Sequence, residues 1–426
     1  MQKFIVQGRR HLAGGISVSG SKNAVLKLLP ACVLVPGSVQ LNNVPKIEAV
    51  DVMVALLQAI GAKIDRSADG HTLAVDARKI HTAELPAKLV TRERATSVLV
   101  GPLLARFGDV SFPHPGGDVI GERPLDALLG GLRALGATVE EGDRYYRVKA
   151  KRLLGTRYVF RWVSVTVTEN LMLAATLAEG VTELVNAALE PEVVELAEFL
   201  NHCGAQIEGA GTPTIRVKGV KALRANNASV NVMPDRIETA TFACLAAATN
   251  SKITISHCEP LHVEVLLRVL DDVGVKTERT ANSITVLPHT GKLRATEIRT
   301  HEYPGFATDY QSPMTVLLTQ ATGVSLVHET VFEGRLFYTD KLKQMGAKII
   351  MADPHRVIVV GPANLRGRKI ISPDIRAGMA LVIAGLVAEG TTTIGNIYQI
   401  DRGYENIDVR LSALGAEIKR VETDSF

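Results

Sequence analysis

One short pattern recurs six times along this chain: a glycine closes an amphipathic helix and is followed at once by a β-rich segment. The glycines are spaced by 75, 68, 70, 72 and 69 residues, in AIGAKI (Gly61), ALGATV (Gly136), HCGAQI (Gly204), DVGVKT (Gly274), QMGAKI (Gly346) and ALGAEI (Gly415). Glycine is favoured there because the residue after a helix often adopts a left-handed backbone conformation. A steady period of this kind indicates one supersecondary unit used six times.

Each repeat has the same elements in the same order: an apolar helix, a short strand, a loop, the amphipathic helix, and a hairpin of two strands. The apolar helices are hydrophobic on nearly all sides, which predicts that they are buried at the centre of a domain. They read KNAVLKLLPACVLV, RATSVLVGPLLARF, TENLMLAATLA, IETATFACLAAAT, DYQSPMTVLLTQA and IRAGMALVIAGLVA.

The sixth repeat lacks its return strand, since only KRVETDSF follows its first strand. The N-terminal segment KFIVQG has the pattern of a strand, and we predict that it fills this position. The chain then forms two domains: residues 17–228 hold repeats one to three, and residues 1–16 with 229–426 hold repeats four to six. A cleft between two such domains would be the default binding site.

Composition narrows the class of protein. The chain of 426 residues exceeds what one hydrophobic core usually serves, and 46% hydrophobic with only 4% aromatic residues favours an aliphatic α/β core. A net charge of +4 is too small for the broad basic surface of a nucleic-acid-binding protein. There is no apolar leader and no run of 18 uncharged apolar residues, so we expect no membrane association and a cytoplasmic protein.

Motifs for cofactors and metals are also missing from the sequence. The cysteines at 32, 203, 244 and 258 have neither zinc-ligand nor disulfide-framework spacing. No P-loop, dinucleotide fingerprint or HExxH motif occurs. We therefore expect no metal and no cofactor, and a monomer, since nothing in the sequence requires an oligomer.

Charged and polar residues stand at or near the starts of the buried helices, where free backbone N–H groups and the helix dipole favour anions. Each has an ordinary alternative role, as a solvated lysine, a salt bridge or a capping carboxylate. Converging arginines and a lysine would suit a substrate that carries both phosphate and carboxylate. These residues are Lys22 and Asn23, Arg92 and Arg94, Asp235, Arg236 and Glu238, Asp309, Asp374 and Arg376, and Arg402.

A further stretch, PGGDVIGERPLD from Pro115 to Asp126, combines loop-forming residues with an acid and a guanidinium. Its Pro-Gly-Gly start suits a mobile lid, while Asp118 could transfer a proton and Arg123 could hold an anion in bidentate fashion. The alternative is a surface turn with scattered charges.

Together these motifs resemble those of the UDP-N-acetylglucosamine 1-carboxyvinyltransferases, the enolpyruvyl transferases that begin peptidoglycan precursor synthesis and so support cell shape and division. The shikimate-pathway enolpyruvyl transferases are similar more distantly. The resemblance implies two inverse α/β prisms of three repeats each, in agreement with the six glycines. It rests on SGSKN, GPLLARFG, PGGDVIGERPLD, TENLMLAATLAEG, EPE, PDRIET, YPGFATDYQ, DIRAGMALVIAGLVAEGTT and IDRGYE.

The resemblance also implies the reaction and its residues. The 3-hydroxyl of UDP-N-acetylglucosamine would take the enolpyruvyl group of phosphoenolpyruvate, with release of phosphate. Phosphoenolpyruvate would be bound by Lys22, Asn23, Arg123, Arg376 and Arg402. The UDP-sugar would be held by Arg94, Arg123, Pro124, Leu125, Asp126, Ala127, Val163, Ser164, Val165, Asp309 and Val331. Catalysis would use Asp309 as the base and Asp118 as the acid, with Lys22 and Arg402 stabilising the developing charge.

Several residues depart from the family pattern. Asp118 stands where most relatives carry cysteine, and it can donate a proton only if burial or a neighbour such as Glu122 raises its pKa from about 3.9. Trp162 and Thr166 also depart from the pattern. The ring of Trp162 could stack on uracil or cover an apolar edge. Ala307 and Ala240 replace a usual proline and glycine. Two alternatives therefore stay open: enolpyruvyl transfer to another uridine compound, or a non-catalytic paralogue that binds a nucleotide sugar.

Asp118 leads to a prediction about the epoxide antibiotic fosfomycin. A carboxylate is a poorer nucleophile than a thiolate, so we expect an active enzyme that the drug does not modify. Mass spectrometry after incubation with excess drug should show unmodified protein. Asp118→Cys is the matched control and should gain the mass of the inhibitor, whereas rapid stoichiometric labelling of the unsubstituted chain would contradict the prediction.

Overall fold

The computed structural model describes residues 2–92, 94–114 and 125–422, and only the backbone of Arg94. Asp118, Glu122, Arg123 and Pro124 lie outside the described residues. The described chain forms a mixed α/β structure, as the repeat pattern predicts.

The strands, numbered in chain order, are β1 (Gln2–Gln7), β2 (Ala13–Ser17), β3 (Ser38–Asn42), β4 (Lys63–Arg66), β5 (Leu73–Asp76), β6 (Asp109–Pro113), β7 (Thr138–Glu141), β8 (Tyr145–Lys149), β9 (Arg157–Val159), β10 (Val181–Val185), β11 (Gln206–Glu208), β12 (Thr214–Lys218), β13 (Ser229–Asn231), β14 (Lys252–Ser256), β15 (Thr277–Arg279), β16 (Ser283–Val286), β17 (Glu297–Arg299), β18 (Gly323–His328), β19 (Lys348–Asp353), β20 (Arg356–Gly361), β21 (Lys369–Ile371), β22 (Thr391–Gly395) and β23 (Glu417–Glu422).

The α-helices are α1 (Lys22–Ala31), α2 (Glu48–Ala59), α3 (Ala87–Val90), α4 (Val100–Phe107), α5 (Asp126–Ala134), α6 (Val165–Ala175), α7 (Pro191–His202), α8 (Arg236–Ala248), α9 (Glu264–Val273), α10 (Thr308–Leu318), α11 (Thr339–Gln344), α12 (Ile375–Val387), α13 (Tyr398–Asp401) and α14 (Ile407–Ala413), with 3-10 helices at Cys32–Leu34, Arg94–Leu99 and Pro260–Val263.

The strands of the described residues form six small sheets of one design. In β17-β18-β20-β19, for example, β17 and β18 are parallel, while β18 with β20 and β20 with β19 are antiparallel. The predicted hairpins are all present, as β4–β5, β7–β8, β11–β12, β15–β16 and β19–β20. The sheet β6-β8-β7 has three strands, and a single parallel bridge between Glu84 and Ser111 stands in place of its outer strand.

Three sheets contain a strand from a distant part of the chain. Strand β1 lies between β22 and β23, antiparallel to both, and thus occupies the return-strand position of the sixth repeat. Strand β2 pairs in parallel with β14, and β13 pairs in parallel with β3. The strand that precedes repeat one therefore completes the sheet of repeat four, and the strand that precedes repeat four completes the sheet of repeat one.

Within the described residues there are two compact units, one of residues 2–19 and 234–422 and the other of residues 20–114 and 125–233. Each has its own hydrophobic core. Helices α8, α10 and α12 are buried in the first, and α1, α4 and α6 in the second. The domain boundaries at 16/17 and 228/229 stay a prediction. No helix in the described ranges has the length and apolar character needed to cross a membrane.

The six repeat glycines have the backbone conformation that the sequence predicts. Their φ angles lie between 93° and 111°, a region that residues with a Cβ rarely adopt. At Gly274 an added Cβ would meet no atom within 4 Å, so the backbone angle alone requires glycine there.

Two alanine variants in the same unit can separate the effect of the backbone φ angle from the effect of the space available for a Cβ. Gly274→Ala should lower the free energy of unfolding by about 1 kcal/mol, because a Cβ is strained in the left-handed region. Gly291→Ala is the control, since Gly291 also has open space and its φ is not positive. We expect that variant to stay within about 0.5 kcal/mol of the parent in chemical denaturation. Equal effects in the two variants would contradict the assignment.

Candidate active site

Asp309 is the centre of a buried ionic cluster in the unit of residues 2–19 and 234–422. It lies in the first turn of α10, and its Oδ1 accepts hydrogen bonds from Arg376 Nε at 2.9 Å and Arg335 Nη2 at 3.1 Å. The Asp309 side chain is 26% exposed, whereas both arginine side chains are 6% exposed. The N-cap of α10 is Ala307, so the alternative of an ordinary capping carboxylate is wrong for Asp309.

A second carboxylate holds Arg335 in place. The Nη1 of Arg335 donates to Thr308 Oγ1 at 3.1 Å, and that hydroxyl donates to Glu329 Oε2 at 2.7 Å. The fully buried Glu329 also accepts the backbone N–H of Val331 at 2.8 Å. Because one carboxylate fixes both groups, Val331 and Arg335 belong to a single rigid network.

The charges around Asp309 decide its protonation. Burial by itself would raise the pKa of this carboxyl, but the positive charges of Arg335 and Arg376 and the hydrogen bond from Arg376 outweigh burial. The pKa of Asp309 is therefore held well below its ordinary value. In this arrangement Asp309 is ionised and is a weak base.

Arg376 has one N–H group that no acceptor in the described residues occupies. Its Nη1 is buried and has no hydrogen-bond acceptor in the described part of the chain. Its Cζ lies 5.5 Å from the ring centre of Tyr404, whose hydroxyl is 2.9 Å from Thr241 Oγ1. A buried guanidinium with an unused N–H group has the chemistry to bind an anion.

Other charged residues at helix starts have structural roles. Asp374 caps α12 through the N–H groups of residues 376 and 377, and Asp235 caps α8 through those of residues 237 and 238. Glu238 pairs with Arg410 at 2.6 Å. Arg236 donates to the hydroxyl of Tyr310 at 3.1 Å. For Asp235, Asp374 and Glu238 the alternative of caps and ion pairs is therefore correct.

Three more arginines complete the comparison with the sequence analysis. Arg402 is the buried C-cap residue of α13, and its Nη1 donates to Gln399 Oε1 at 2.6 Å. Arg92 forms a salt bridge with Glu48. Arg94 opens a 3-10 helix rather than an α-helix.

In the other unit, α1 presents Lys22 and Asn23 in its first turn. The hydroxyl of Ser21 accepts the N–H of residue 24 at 3.3 Å and so caps the helix. Lys22 is buried and Asn23 is half-buried. One turn further on, Lys27 Nζ donates to the carbonyl oxygen of Asn23 at 3.1 Å and lies 3.1 Å from Glu169 Oε2 on α6. The first turn of α1 is thus connected to α6.

Glu169 is fully buried, and its environment is unfavourable for a negative charge. Burial raises the pKa of this carboxyl to about 7, against the opposing effect of Lys27, and the nearby carboxyls of Glu192 and Glu190 raise it further. A carboxyl with this pKa changes its charge within the neutral range.

Two of the segments that the resemblance assigns to the UDP-sugar, residues 125–127 and 163–165, lie in this same unit. Residues 125–127 begin α5, and the hydroxyl of Tyr158 donates to the Ala127 carbonyl oxygen at 3.0 Å. Ser164 caps α6 by accepting the N–H of residue 167. Trp162, which lies in sequence between Tyr158 and Ser164, is 61% exposed, and the guanidinium of Arg161 is 4.3 Å from the centre of its ring. Such exposure does not fit the alternative in which Trp162 covers an apolar edge.

The structure brings together Asp309 and Arg376, which the sequence analysis predicts, and adds residues that it does not predict. Arg335 and Glu329 are missing from that prediction, as are Lys27 and Glu169. A signal was present for the last two, because a charged residue inside a helix that is apolar on all sides requires a buried partner. Arg335 has no comparable signal, since it lies in the irregular segment between β18 and α11.

Two buried arginines paired with one carboxylate at a helix start, on a fold of six repeats, form a site with the chemistry to bind a small anion. A family model described as EPSP synthase (3-phosphoshikimate 1-carboxyvinyltransferase) matches residues 6–411. The chain belongs to this family.

Several relatives share nearly the whole chain. The UDP-N-acetylglucosamine 1-carboxyvinyltransferase 2 of Carboxydothermus hydrogenoformans is 43% identical over 423 residues, covering 99% of this chain and 100% of the relative. The UDP-N-acetylglucosamine 1-carboxyvinyltransferase of Magnetococcus marinus is 44% identical over 421 residues, with the same coverage.

Solved structures agree with the fold. The enolpyruvyl transferase NikO from Streptomyces tendae superposes with a TM-score of 0.90 at 25% identity, covering 99% of each chain. The EPSP synthase of Acinetobacter baumannii has a TM-score of 0.75 at 18% identity, covering 99% of this chain and 100% of that one, and supports the fold alone. The inverse α/β architecture predicted from the sequence is confirmed.

The raised pKa of Glu169 leads to a pH-dependent stability. Between the ordinary carboxyl pKa and about 7, the folded chain retains a proton that the unfolded chain has lost, so stability falls as pH rises. Glu169→Gln removes this loss. We expect the free energy of unfolding of the variant, relative to the parent, to grow by at least about 1 kcal/mol between about pH 5 and pH 8.

Glu179→Gln is the control for this measurement, because Glu179 is exposed and its pairing with Arg152 is a surface contact. Its stability curve should run parallel to that of the parent. A parallel curve for Glu169→Gln as well would show that Glu169 is ionised throughout the range.

Proposed function

We propose that this chain transfers the enolpyruvyl group of phosphoenolpyruvate to the 3-hydroxyl of UDP-N-acetylglucosamine and releases phosphate, the first committed step of peptidoglycan precursor synthesis. The observation that carries the proposal is the Asp309–Arg376 pair, which joins a carboxylate to a buried guanidinium whose Nη1 has no hydrogen-bond acceptor among the described residues. The relatives at 43% and 44% identity carry the name of this activity. A monomeric, cytoplasmic enzyme without a cofactor is part of the proposal.

The reaction has two steps. In the first, the sugar O3 forms a bond to C2 of phosphoenolpyruvate, the hydroxyl proton leaves, and a proton is added to C3. In the second, the bond between C2 and the phosphate oxygen breaks, phosphate departs, and C3 loses a proton to restore the double bond. The protein must therefore supply a base for O3, an acid for C3, and positive charge around the phosphate and the carboxylate.

The positive charge comes from residues at helix ends. Arg376 and Arg402 bind the carboxylate, and Lys22, Arg123 and Arg402 bind the phosphate, with Asn23 in the same pocket. Support for Arg376 comes from its buried Nη1, which meets no hydrogen-bond acceptor in the ranges that the structure describes, and support for Lys22 from its place in the first turn of α1, where the dipole attracts anions. A bidentate guanidinium orients a carboxylate as well as neutralising it.

Asp309 is the base for the sugar hydroxyl. Without substrate it shares its charge with Arg376 and Arg335 and is a weak base. When the carboxylate of phosphoenolpyruvate takes over the Arg376 guanidinium, Asp309 loses much of that stabilisation, and its pKa rises toward a useful value. Arg335 continues to fix its orientation. Binding of the first substrate thus prepares the base for the second.

The UDP-sugar is held by residues 125–127, Val163, Ser164, Val165 and Val331, together with Arg94, Arg123 and Pro124. The contact between Tyr158 and Ala127 and the cap at Ser164 support this assignment, because they fix the backbone of two of these segments. The exposed ring of Trp162 is available to stack on uracil. Asp118 is the acid for C3 in this proposal.

Trp162 departs from the family pattern next to these segments. For this reason an alternative acceptor is included in the test. Transfer to another uridine compound would leave the arginine cluster unchanged and alter only the residues that hold the nucleotide. Retention of Lys22, Arg376, Arg402 and Asp309 argues against the non-catalytic paralogue.

The decisive measurement is phosphate release from phosphoenolpyruvate by the purified protein, with UDP-N-acetylglucosamine, UDP-glucose, uridine or no acceptor. Mass spectrometry identifies the product. We expect release only with UDP-N-acetylglucosamine, and a drop in kcat of at least about 100-fold in Asp309→Asn because the base is lost. Asp340→Asn is the matched control, since Asp340 is exposed and forms a surface salt bridge with Lys343.

Other outcomes would change the conclusion. Release with a different acceptor would transfer the function to that acceptor. Absence of release with every acceptor, together with binding of the nucleotide sugar in calorimetry, would support a non-catalytic paralogue. Full activity of Asp309→Asn would assign the base to another residue.

A further inference from the structure

Strand β23, which contacts the residues that flank the loop of Arg402, carries an arginine that has no part in the proposed chemistry. Arg420 on β23 donates from Nη1 and Nη2 to the two carboxylate oxygens of Asp401, at 2.7 and 2.8 Å. Its Nη2 also donates to Asp408 Oδ1 at 3.0 Å. One guanidinium thus binds two carboxylates, one of them in bidentate fashion.

The two carboxylates flank the loop of residues 402–406. Asp401 is the last residue of α13, Arg402 is its C-cap, and Asp408 lies in the first turn of α14. Arg420 therefore ties both ends of the loop to β23. The side chains of Arg420, Asp401 and Asp408 are 26%, 30% and 16% exposed, so the three charges are only partly screened by solvent.

The same loop contacts Arg376. A Cβ placed on Gly403 would lie 3.8 Å from Arg376 Nη1 and 2.6 Å from a side-chain carbon of Ile375, so the backbone is packed closely there. The ring of Tyr404 lies beside the Arg376 guanidinium. A displacement of the loop would move Arg402 and disturb the environment of Arg376 together.

Arg420 is itself held by the N-terminal strand. It pairs in register with Phe4 on β1, its Cζ lies 4.9 Å from that ring, and Nη1 also donates to Gln2 Oε1 at 3.0 Å. The carboxylates, by hydrogen bond and by charge, raise the pKa of Arg420, which keeps it positive at every relevant pH. The sheet β22-β1-β23 is thus a fixed base from which the loop is positioned.

We propose that Arg420 is a positioning residue for phosphoenolpyruvate binding: it holds Asp401 and Asp408 on the two sides of the loop 402–406 and so fixes Arg402. The proposal rests on the proposed function, in which Arg402 binds phosphoenolpyruvate. It assigns Arg420 no contact with substrate.

The test compares Arg420→Gln and Arg420→Lys with Arg10→Gln in the phosphate-release assay. We expect the KM for phosphoenolpyruvate to rise about tenfold in Arg420→Gln while the KM for UDP-N-acetylglucosamine changes less than about twofold. Arg420→Lys should be intermediate, because an ammonium keeps the charge but cannot bind two carboxylates as a fork. Arg10→Gln should leave both constants unchanged. Arg10 forms a surface salt bridge with Glu417, which lies on β23 as Arg420 does.

A double-mutant cycle with Asp401→Asn separates positioning from general damage. If Arg420 acts through Asp401, the double variant should have the KM for phosphoenolpyruvate of the single Arg420→Gln variant rather than the product of the two increases. Equal rises in both KM values, or unchanged KM values with an apparent kcat that falls in proportion to the loss of folded protein, would overturn the proposal and leave Arg420 a purely structural role.

Hydrogen exchange tests the proposal independently of activity. The N–H groups of residues 402, 403 and 404 donate to carbonyl groups of residues 398 and 400, and they should exchange about tenfold faster in Arg420→Gln. Unchanged exchange would contradict the positioning role. An unsubstituted protein that releases no phosphate would instead contradict the proposed function, so the two failures are distinguishable.

Discussion

The half-buried carboxylate of Asp309 between two buried guanidinium groups is the interaction on which the proposed chemistry depends. Helices α10 and α12 are buried along most of their lengths, so a charge at their starts is tolerated only when it is paired. The pair between Asp309 and Arg376 satisfies this requirement and also places opposite charges on two neighbouring repeats. The stability of the interior and the arrangement of the reactive groups therefore have the same physical origin.

In the proposed reaction, that pairing explains how one carboxylate is stable at rest and reactive with substrate bound. A buried base with a raised pKa would be protonated part of the time, whereas Asp309 is kept ionised by Arg335 and Arg376. An anionic substrate competes with it for Arg376, and the base strength of Asp309 then follows from the occupancy of the guanidinium. Arg335 does not need to be released, because Thr308 and Glu329 hold it from the other side.

Much of the fold could be predicted from the sequence because its signals are local. A glycine after each amphipathic helix predicts a left-handed backbone angle, and the residue pattern of KFIVQG predicts a strand. The partners of Lys27 and Arg335 could not be found in this way. Lys27 pairs with Glu169, which is distant in sequence, and Arg335 contacts Asp309 from the irregular segment between β18 and α11. The exchange of β2 and β13 between sheets is equally non-local, since either strand would suit either sheet.

The distribution of the assigned residues over the repeats has a consequence for how acceptors can change within the family. Asp309, Arg376 and Arg402 lie in repeats five and six and are fixed by one core, whereas residues 125–127 and 163–165 lie around repeats two and three and are fixed by another. Substitutions that alter the nucleotide segments, such as Trp162, therefore leave the packing of the arginine cluster intact. The family description names a different acceptor, 3-phosphoshikimate, while an EPSP synthase retains this fold at 18% identity. A scaffold with two cores can keep its anion chemistry constant while its acceptor changes, because a substitution in one core does not repack the other.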